Sequence, residues 1–140
     1  MDAISTRIIT TEDPGSLDLA LQVLRSGRLV VFPTDTLYGL GCDPYNAAAL
    51  ASIYAAKNRP ALKALPVLIG EPDQLHSLVK HVPPKAARLI ARYWPGPLTL
   101  VLPKNPLLPQ ELTPYPGLAV RLPDQPFARA LLRAAGPLAV

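Results

Sequence analysis

The chain has 140 residues, of which 49% are hydrophobic and 17% are charged, and its formal net charge is +4. This length and composition fit one globular domain with its own core and argue against disorder. No run approaches the roughly 18 apolar residues of a membrane helix. The polar opening argues against a signal peptide and the single Cys42 against an intrachain disulfide, so we predict a cytoplasmic protein.

The first quarter of the chain predicts a strand, a helix and a second strand. A short lead-in strand is expected at residues 7–9, with a turn at 13–15. Ser16 is the candidate N-cap of the helix, and Gly27 stands where helices commonly end. The predicted buried stripe of this helix comprises Leu17, Ala20, Leu21 and Leu24. Residues 28–32 then predict a buried strand.

Residues 33–41 follow that strand and combine polar side chains with two glycines. If the chain stays extended here, Thr34 and Thr36 point to one side and Asp35 to the other, because side chains alternate along a strand. The glycines would allow a tight backbone path beside a ligand. In isolation, the same residues are also typical of an ordinary turn.

The next helix is predicted to begin at Asn46, a favourable N-cap, and its apolar stripe is Leu50, Ile53 and Tyr54. Lys57 continues that stripe, and Arg59 and Lys63 follow within six residues. Because Pro60 disfavours further helix, these cations can converge on one anionic ligand such as a phosphate or carboxylate. Alternatively, Lys57 and Arg59 simply complement the negative end of the helix dipole.

The rest of the chain continues the alternation of strands and helices, which predicts an α/β layered sheet. Predicted strands lie at residues 65–69, 98–102 and 118–122, with a last strand beginning at 137. A short helix is expected over residues 71–79. A stronger helix opens at Pro83 and Pro84, with Ala86, Leu89, Ile90 and Tyr93 inward. Asp124 is expected to cap the last helix, whose inward side chains are Phe127, Ala128, Leu131, Leu132 and Ala135.

Common catalytic motifs are absent from the sequence: it has no P-loop, dinucleotide fingerprint or nucleophile elbow. His76 and His81 lack zinc-site spacing and are predicted to be surface residues. Cys42 has no obvious base, which disfavours covalent catalysis. Trp94 is expected in the core or at its rim rather than on an RNA-stacking platform. Arg121 lies between Val120 and Leu122, and by alternation it could face solvent.

Four motifs in this order resemble the YrdC-like family, whose best-known members are threonylcarbamoyl-AMP synthases. They are Pro-Thr-Asp-Thr-Leu-Tyr-Gly-Leu-Gly at 33–41, Lys-x-Arg-Pro at 57–60, Trp-Pro-Gly-Pro-Leu-Thr at 94–99 and Ala-Val-Arg-Leu-Pro at 119–123. The resemblance covers roughly residues 15–140, and four ordered motifs are more specific than any one. It implies a single YrdC-like domain over residues 1–140, with a twisted open mixed sheet flanked by helices.

By this resemblance, the protein is expected to be a nucleotidyltransferase, an L-threonylcarbamoyladenylate synthase. It would form threonylcarbamoyl-AMP and pyrophosphate from ATP, bicarbonate and L-threonine. Its product would pass to the tRNA threonylcarbamoyl transferase machinery that makes threonylcarbamoyladenosine in tRNA. The family implies catalytic roles for Lys57 and Arg59, which with Lys63 would bind ATP and its Mg²⁺. Thr34, Thr36 and Arg121 would bind threonine, with the Arg121 guanidinium clamping its carboxylate, and no residue is predicted as a metal ligand.

Two departures from the family pattern and two alternative functions accompany this prediction. Leu68 stands where the family often has histidine, and the family's Ser-x-Asn motif follows a strand like residues 138–140. We therefore expect the domain to lack its C-terminal part. One alternative is a non-enzymatic module that binds double-stranded RNA, which the +4 charge would suit. The other is the carbamoyl-transfer domain of hydrogenase maturation, which normally lies within a much longer chain.

Overall fold

The computed structural model describes residues 5–140 of the protein. Four α-helices alternate with strands there: α1 Ser16–Arg25, α2 Ala47–Lys57, α3 Pro84–Tyr93 and α4 Pro126–Ala135. The strands are β1 Val30–Phe32, β2 Gly39–Gly41, β3 Val67–Leu68, β4 Leu100–Pro103, β5 Gly117–Arg121 and β6 Leu138–Ala139. A 3₁₀ helix spans Pro72–Ser77. Within these described residues, no helix is long and apolar enough to cross a membrane.

The central sheet is mixed and has the strand order β4-β5-β3-β6. Strand β3 runs parallel to β5 and antiparallel to β6, whereas β4 and β5 are antiparallel. The separate antiparallel ribbon β1-β2 joins this sheet beside β6, because Cys42 and Ala139 exchange two backbone hydrogen bonds of 3.0 Å each. The predicted α/β class, with a mixed sheet flanked by helices, is confirmed.

Two apolar cores lie on opposite faces of the sheet, because neighbouring strand residues point to opposite sides. Val67 packs into the core that contains Leu50 and Ile53 of α2. The next residue, Leu68, packs into the core formed with α1 and α4. Both faces of the sheet are therefore covered by helices.

The predicted helix boundaries are confirmed in part. The Asn46 side chain accepts a hydrogen bond of 3.1 Å from the Ala49 N–H, as expected of an N-cap. Ser16 does not cap α1: it is the first residue inside the helix, and Gly15, with φ +80°, precedes it. Gln125 rather than Asp124 caps α4, because Pro126 fixes the first helical position immediately after it.

Three predicted strand or helix positions are wrong. Residues 7–9 form no strand, and Ile8 is 92% exposed. Val31 is 62% exposed rather than buried, because β1 lies in the outer ribbon, where one face meets solvent. In α3 the inward side is carried by Ala86 and Ile90, whereas two predicted core residues, Leu89 and Tyr93, are exposed.

Candidate active site

The polar segment after β1 is the loop of a β-hairpin. Phe32 pairs with Gly39 and Val30 with Gly41, so residues 33–38 form the loop and the two glycines belong to the returning strand. The two glycines therefore lie in a strand and not in the turn itself. A Cβ at Gly41 would lie 2.8 Å from Cε1 of Phe32. That glycine makes room for the buried Phe32 ring.

The hydroxyl of Thr34 bends this loop. Its Oγ1 accepts a hydrogen bond of 3.2 Å from the Thr36 N–H, lies 3.2 Å from the Thr36 Oγ1 and donates to the Leu37 carbonyl. The two threonine hydroxyls are together, as predicted from the sequence. Asp35 does not point away from them, because the loop is bent and the alternation of an extended strand is lost.

Arg121 connects this loop to the end of β5. Its Nη1 lies 2.9 Å from Oδ1 of Asp35, and its Nη2 donates to Oγ1 of Thr36 at 3.0 Å. The residue is 8% exposed, so the alternative that Arg121 faces solvent is wrong. A buried guanidinium requires such partners, because an unpaired buried charge is costly. These contacts use two of its five N–H groups, which leaves donors for a ligand carboxylate.

Leu68 forms the apolar wall next to Arg121. The two residues are paired across the parallel strands β3 and β5, and Leu68 is buried in the core shared with α1 and α4. Paired residues on adjacent strands project from the same face of a sheet. Where the family often supplies a histidine, this chain therefore presents a hydrocarbon surface to the guanidinium side of the sheet.

The predicted phosphate-binding cations lie at the C-terminal end of α2 and in the loop that follows it. Lys57 is the last residue of the helix, and Asn58 adopts the left-handed conformation with φ +49°. Arg59 turns back onto the loop, where its Nε donates to the Lys63 carbonyl at 3.0 Å and its Nη2 to the Ala64 carbonyl at 2.8 Å. Arg59 thus holds the loop that carries Lys63.

This group of cations carries positive charge that the described side chains do not neutralise. Partial burial lowers the pKa of Lys57, and the nearby Arg59 guanidinium lowers that pKa further. Among residues 5–140, one ion pair is present, and it joins Arg121 to Asp35. Neither Lys57 nor Arg59 therefore has a carboxylate partner among these residues. An anionic ligand would relieve this repulsion, which makes the end of α2 suited to phosphate.

The structure does not place the two groups in direct contact. No hydrogen bond or ion pair within residues 5–140 joins Lys57, Arg59 or Lys63 to the Arg121 side chain. Both groups flank the same strand: Ala64 precedes β3, and Leu68 at its end pairs with Arg121. The two groups therefore lie at opposite ends of the short segment 64–68, with Arg59 bonded to the Ala64 carbonyl and Arg121 paired with Leu68.

The structure also places the two histidines, the tryptophan and the cysteine that the sequence analysis considered. His76 and His81 are exposed, as predicted. Trp94 is 8% exposed, and its Nε1 donates to the Leu98 carbonyl at 2.7 Å, which confirms it as a core residue. Burial, followed by the nearby Asp43 carboxylate, raises the pKa of Cys42 to about 12, so its thiol stays protonated at neutral pH.

Asp35 is the residue of this site that the sequence reasoning did not assign. Its side chain is 15% exposed and pairs with Arg121 across 86 residues of sequence. The sequence contained one signal for this residue: Asp35 lies between Thr34 and Thr36, which were both predicted to belong to the site. Strand alternation instead pointed Asp35 to the opposite side. The site is therefore a paired cation and anion with two hydroxyls at the end of a mixed sheet.

Comparison with known proteins assigns this architecture to a family. Residues 22–140 match the family model Sua5_yciO_yrdC, described as Telomere recombination. The chain therefore belongs to the Sua5, YciO and YrdC family, which confirms the family predicted from its four motifs. The match includes every strand and all helices of the described residues except the first turns of α1.

Individual relatives agree with this assignment. The chain is 42% identical to the threonylcarbamoyl-AMP synthase of Bacillus subtilis over 130 residues, covering 91% of this chain and 37% of that protein. It matches the structure of Pyrococcus abyssi Sua5 complexed with L-threonine at 41% identity and a TM-score of 0.85, covering 88% of this chain and 37% of that one. The chain thus spans about a third of the length of these relatives.

One further match among solved structures is more distant. HypF of T. kodakarensis matches at 20% identity and a TM-score of 0.76, covering 91% of this chain and 17% of that one. At this identity the likeness shows a shared fold. It carries no argument for a shared reaction, because one fold can host different sites.

Proposed function

We propose that this chain forms the substrate-binding part of a threonylcarbamoyl-AMP synthase. The observation that carries the proposal is the buried Arg121, held by Asp35 and Thr36 at the end of β5 with donors still available. The family membership, and a relative solved in complex with L-threonine, support the choice of that amino acid as the ligand. Arg121 would bind the threonine carboxylate, and the hydroxyls of Thr34 and Thr36 would lie beside it.

The reaction we propose joins ATP, bicarbonate and L-threonine into threonylcarbamoyl-AMP and pyrophosphate. The threonine amine attacks carbon dioxide, formed from bicarbonate, to give a carbamate. A carbamate oxygen then attacks the α-phosphorus of ATP, and pyrophosphate leaves. Because the substrates supply both nucleophiles, the protein chiefly has to orient the reactants and stabilise negative charge. Paired cations and fixed hydroxyls suit that task.

Lys57, Arg59 and Lys63 would face the nucleotide phosphates in this proposal. Burial first, and then repulsion from the Arg59 guanidinium, lower the pKa of Lys57, and this unneutralised positive charge supports an anion there. Mg²⁺ would arrive on the ATP phosphates. Within residues 5–140, no group of three or more His, Cys, Asp or Glu side chains is placed to hold an ion.

The nucleotide part of the proposal predicts a charge-specific loss of ATP binding. Replacing Lys57 and Lys63 together by alanine should weaken Mg²⁺-ATP binding at least tenfold or so, because each cation facing a phosphate contributes about 1 kcal/mol or more. Isothermal titration of the folded chain measures this affinity. Lys80→Ala with Lys85→Ala is the matched control, since it removes the same charge from exposed positions elsewhere. Equal losses in the two double variants, or no ATP binding by the folded wild type, would contradict the assignment.

RNA binding is a second candidate function, favoured by one observation. Lys85, Arg88 and Arg92 lie within one face of α3, are exposed, and have no ion-pair partner within residues 5–140. Helical neighbours at this spacing form a basic stripe that phosphate backbones can contact. Charge reversal of these three residues should abolish RNA binding if this function holds. Arg121→Lys should leave RNA binding unchanged, because it alters a buried site.

The location and the next step belong to the same proposal. A single cysteine, buried and without a disulfide partner in this chain, supports a reducing compartment such as the cytoplasm. The mixed anhydride of the product would be consumed by a transferase that acts on tRNA. Such a transferase is the partner we propose for the whole protein.

A further inference from the structure

The Asp35 carboxylate has a second oxygen that the structure leaves available. Oδ1 receives the bond from Arg121, whereas Oδ2 accepts no hydrogen bond from any residue in 5–140. The side chains of Arg121 and Asp35 are 10% and 15% exposed, so the pair is largely, but not completely, covered. Both charged side chains of the pair therefore keep a small exposed surface.

We propose that Asp35 is a specificity-determining residue that restricts this site to α-amino acids. Arg121 binds the substrate carboxylate, and the available oxygen of Asp35 accepts the substrate ammonium. This inference deepens the proposed function and rests on it, because it takes Arg121 as the carboxylate clamp. It adds a second charged contact, which recognises the substrate's amine and not its carboxylate.

Charge balance is the physical reason for this restriction. The pair formed by Arg121 and Asp35 is neutral, and so is an α-amino acid zwitterion, whose opposite charges are separated by one carbon atom. The zwitterion can place each of its charges beside the opposite protein charge. A carboxylic acid without the amine would place a second anion beside Asp35, and like charges in a partly covered site repel strongly.

The two protein charges are also held in a fixed relation to each other. Arg121 ends β5, which lies between β4 and β3 in the sheet. Asp35 is fixed from the other side by the bend that the Thr34 hydroxyl imposes on the loop, and by the neighbouring contact of Thr36 with Arg121. A ligand does not have to organise either group, so preorganisation favours selective binding.

The test compares L-threonine with 3-hydroxybutanoate, which lacks only the amine. The wild-type chain should bind L-threonine about tenfold more tightly than 3-hydroxybutanoate, because the complex with 3-hydroxybutanoate loses one charge-assisted contact and gains one repulsion. Asp35→Asn should reduce the ratio of the two affinities to near one, because it removes both effects while the side chain keeps nearly the same size. Asp35→Glu retains the carboxylate and should keep most of the preference. Asp73→Asn, an exposed acid on the 3₁₀ helix, should leave the ratio unchanged.

Measuring the ratio separates recognition from a purely structural role. If Asp35 only positioned Arg121, Asp35→Asn would weaken both ligands equally and preserve the ratio, which would overturn the inference. If Asp35→Asn does not fold, the test relies on the wild type and Asp35→Glu. Equal binding of the two ligands by the wild type would then overturn the inference. Wild-type protein that binds neither ligand would instead refute the proposed function itself, together with this inference.

Discussion

Replacement of Arg121 by lysine should weaken L-threonine binding about thirtyfold, and replacement by alanine should weaken it further. The guanidinium can donate two parallel hydrogen bonds to a carboxylate, whereas an ammonium is a point charge without that fork. Loss of such a contact costs about 2 kcal/mol, which is close to thirtyfold in affinity. The alanine variant also leaves Asp35 without its partner, so a lower thermal midpoint should accompany its weaker binding.

The lysine variant keeps the test independent of folding. Because it retains a positive charge beside Asp35, its unfolding transition should stay near that of the wild type, and the change should appear in the L-threonine affinity. Arg88→Lys is the matched control, since Arg88 is exposed on α3 and lies outside the candidate site. Unchanged L-threonine affinity in folded Arg121→Lys would show that the carboxylate binds elsewhere.

Gly70→Ala should lower the free energy of unfolding by about 3 kcal/mol, at the upper end of overpacking effects. A Cβ at this position would lie 2.7 Å from the backbone nitrogen of Arg133 and 3.0 Å from the carbonyl oxygen of Arg129. Both atoms belong to the backbone of α4, so no side-chain rotation can relieve the clash. The segment also cannot move away freely, because the Gly70 N–H is bonded to Oε1 of Gln74 at 2.7 Å.

Gly39→Ala is the matched control for that substitution. A Cβ there would meet Val140 Cγ1 at 3.5 Å, which is an ordinary contact. Neither glycine has a positive φ, so the two variants differ in packing rather than in backbone conformation. Urea unfolding should show a much lower midpoint for Gly70→Ala than for Gly39→Ala. Equal stabilities would mean that α4 is less closely packed on the sheet than the structure indicates.

Local signals in the sequence predicted most of the secondary structure. Capping by Asn46 and termination before Gly27 depend on neighbouring residues, and both are confirmed. Errors arose where the environment of a strand decides its exposure. Val31 has the composition of a buried strand residue, yet its strand lies in an outer ribbon, which only the tertiary arrangement determines.

The candidate site was predictable in its membership more than in its geometry. Family motifs singled out Thr34, Thr36 and Arg121, and the structure brings these three together through Asp35 and direct contacts. The orientation of Asp35 could not be predicted, because it depends on a bend made by a hydroxyl and on a partner 86 residues away. The carbonyl contacts of Arg59 likewise depend on the path of the loop.

The central claim is that Arg121 and the loop after β1 bind L-threonine. Its most direct test is a titration of the isotope-labelled chain with L-threonine, followed by amide chemical shifts. We expect saturable shifts concentrated at residues 34–37 and 120–122, and in Arg121→Lys the same shifts should require about thirtyfold more L-threonine. Saturable shifts elsewhere with none in these two segments, or no shifts up to high L-threonine concentration, would contradict the claim.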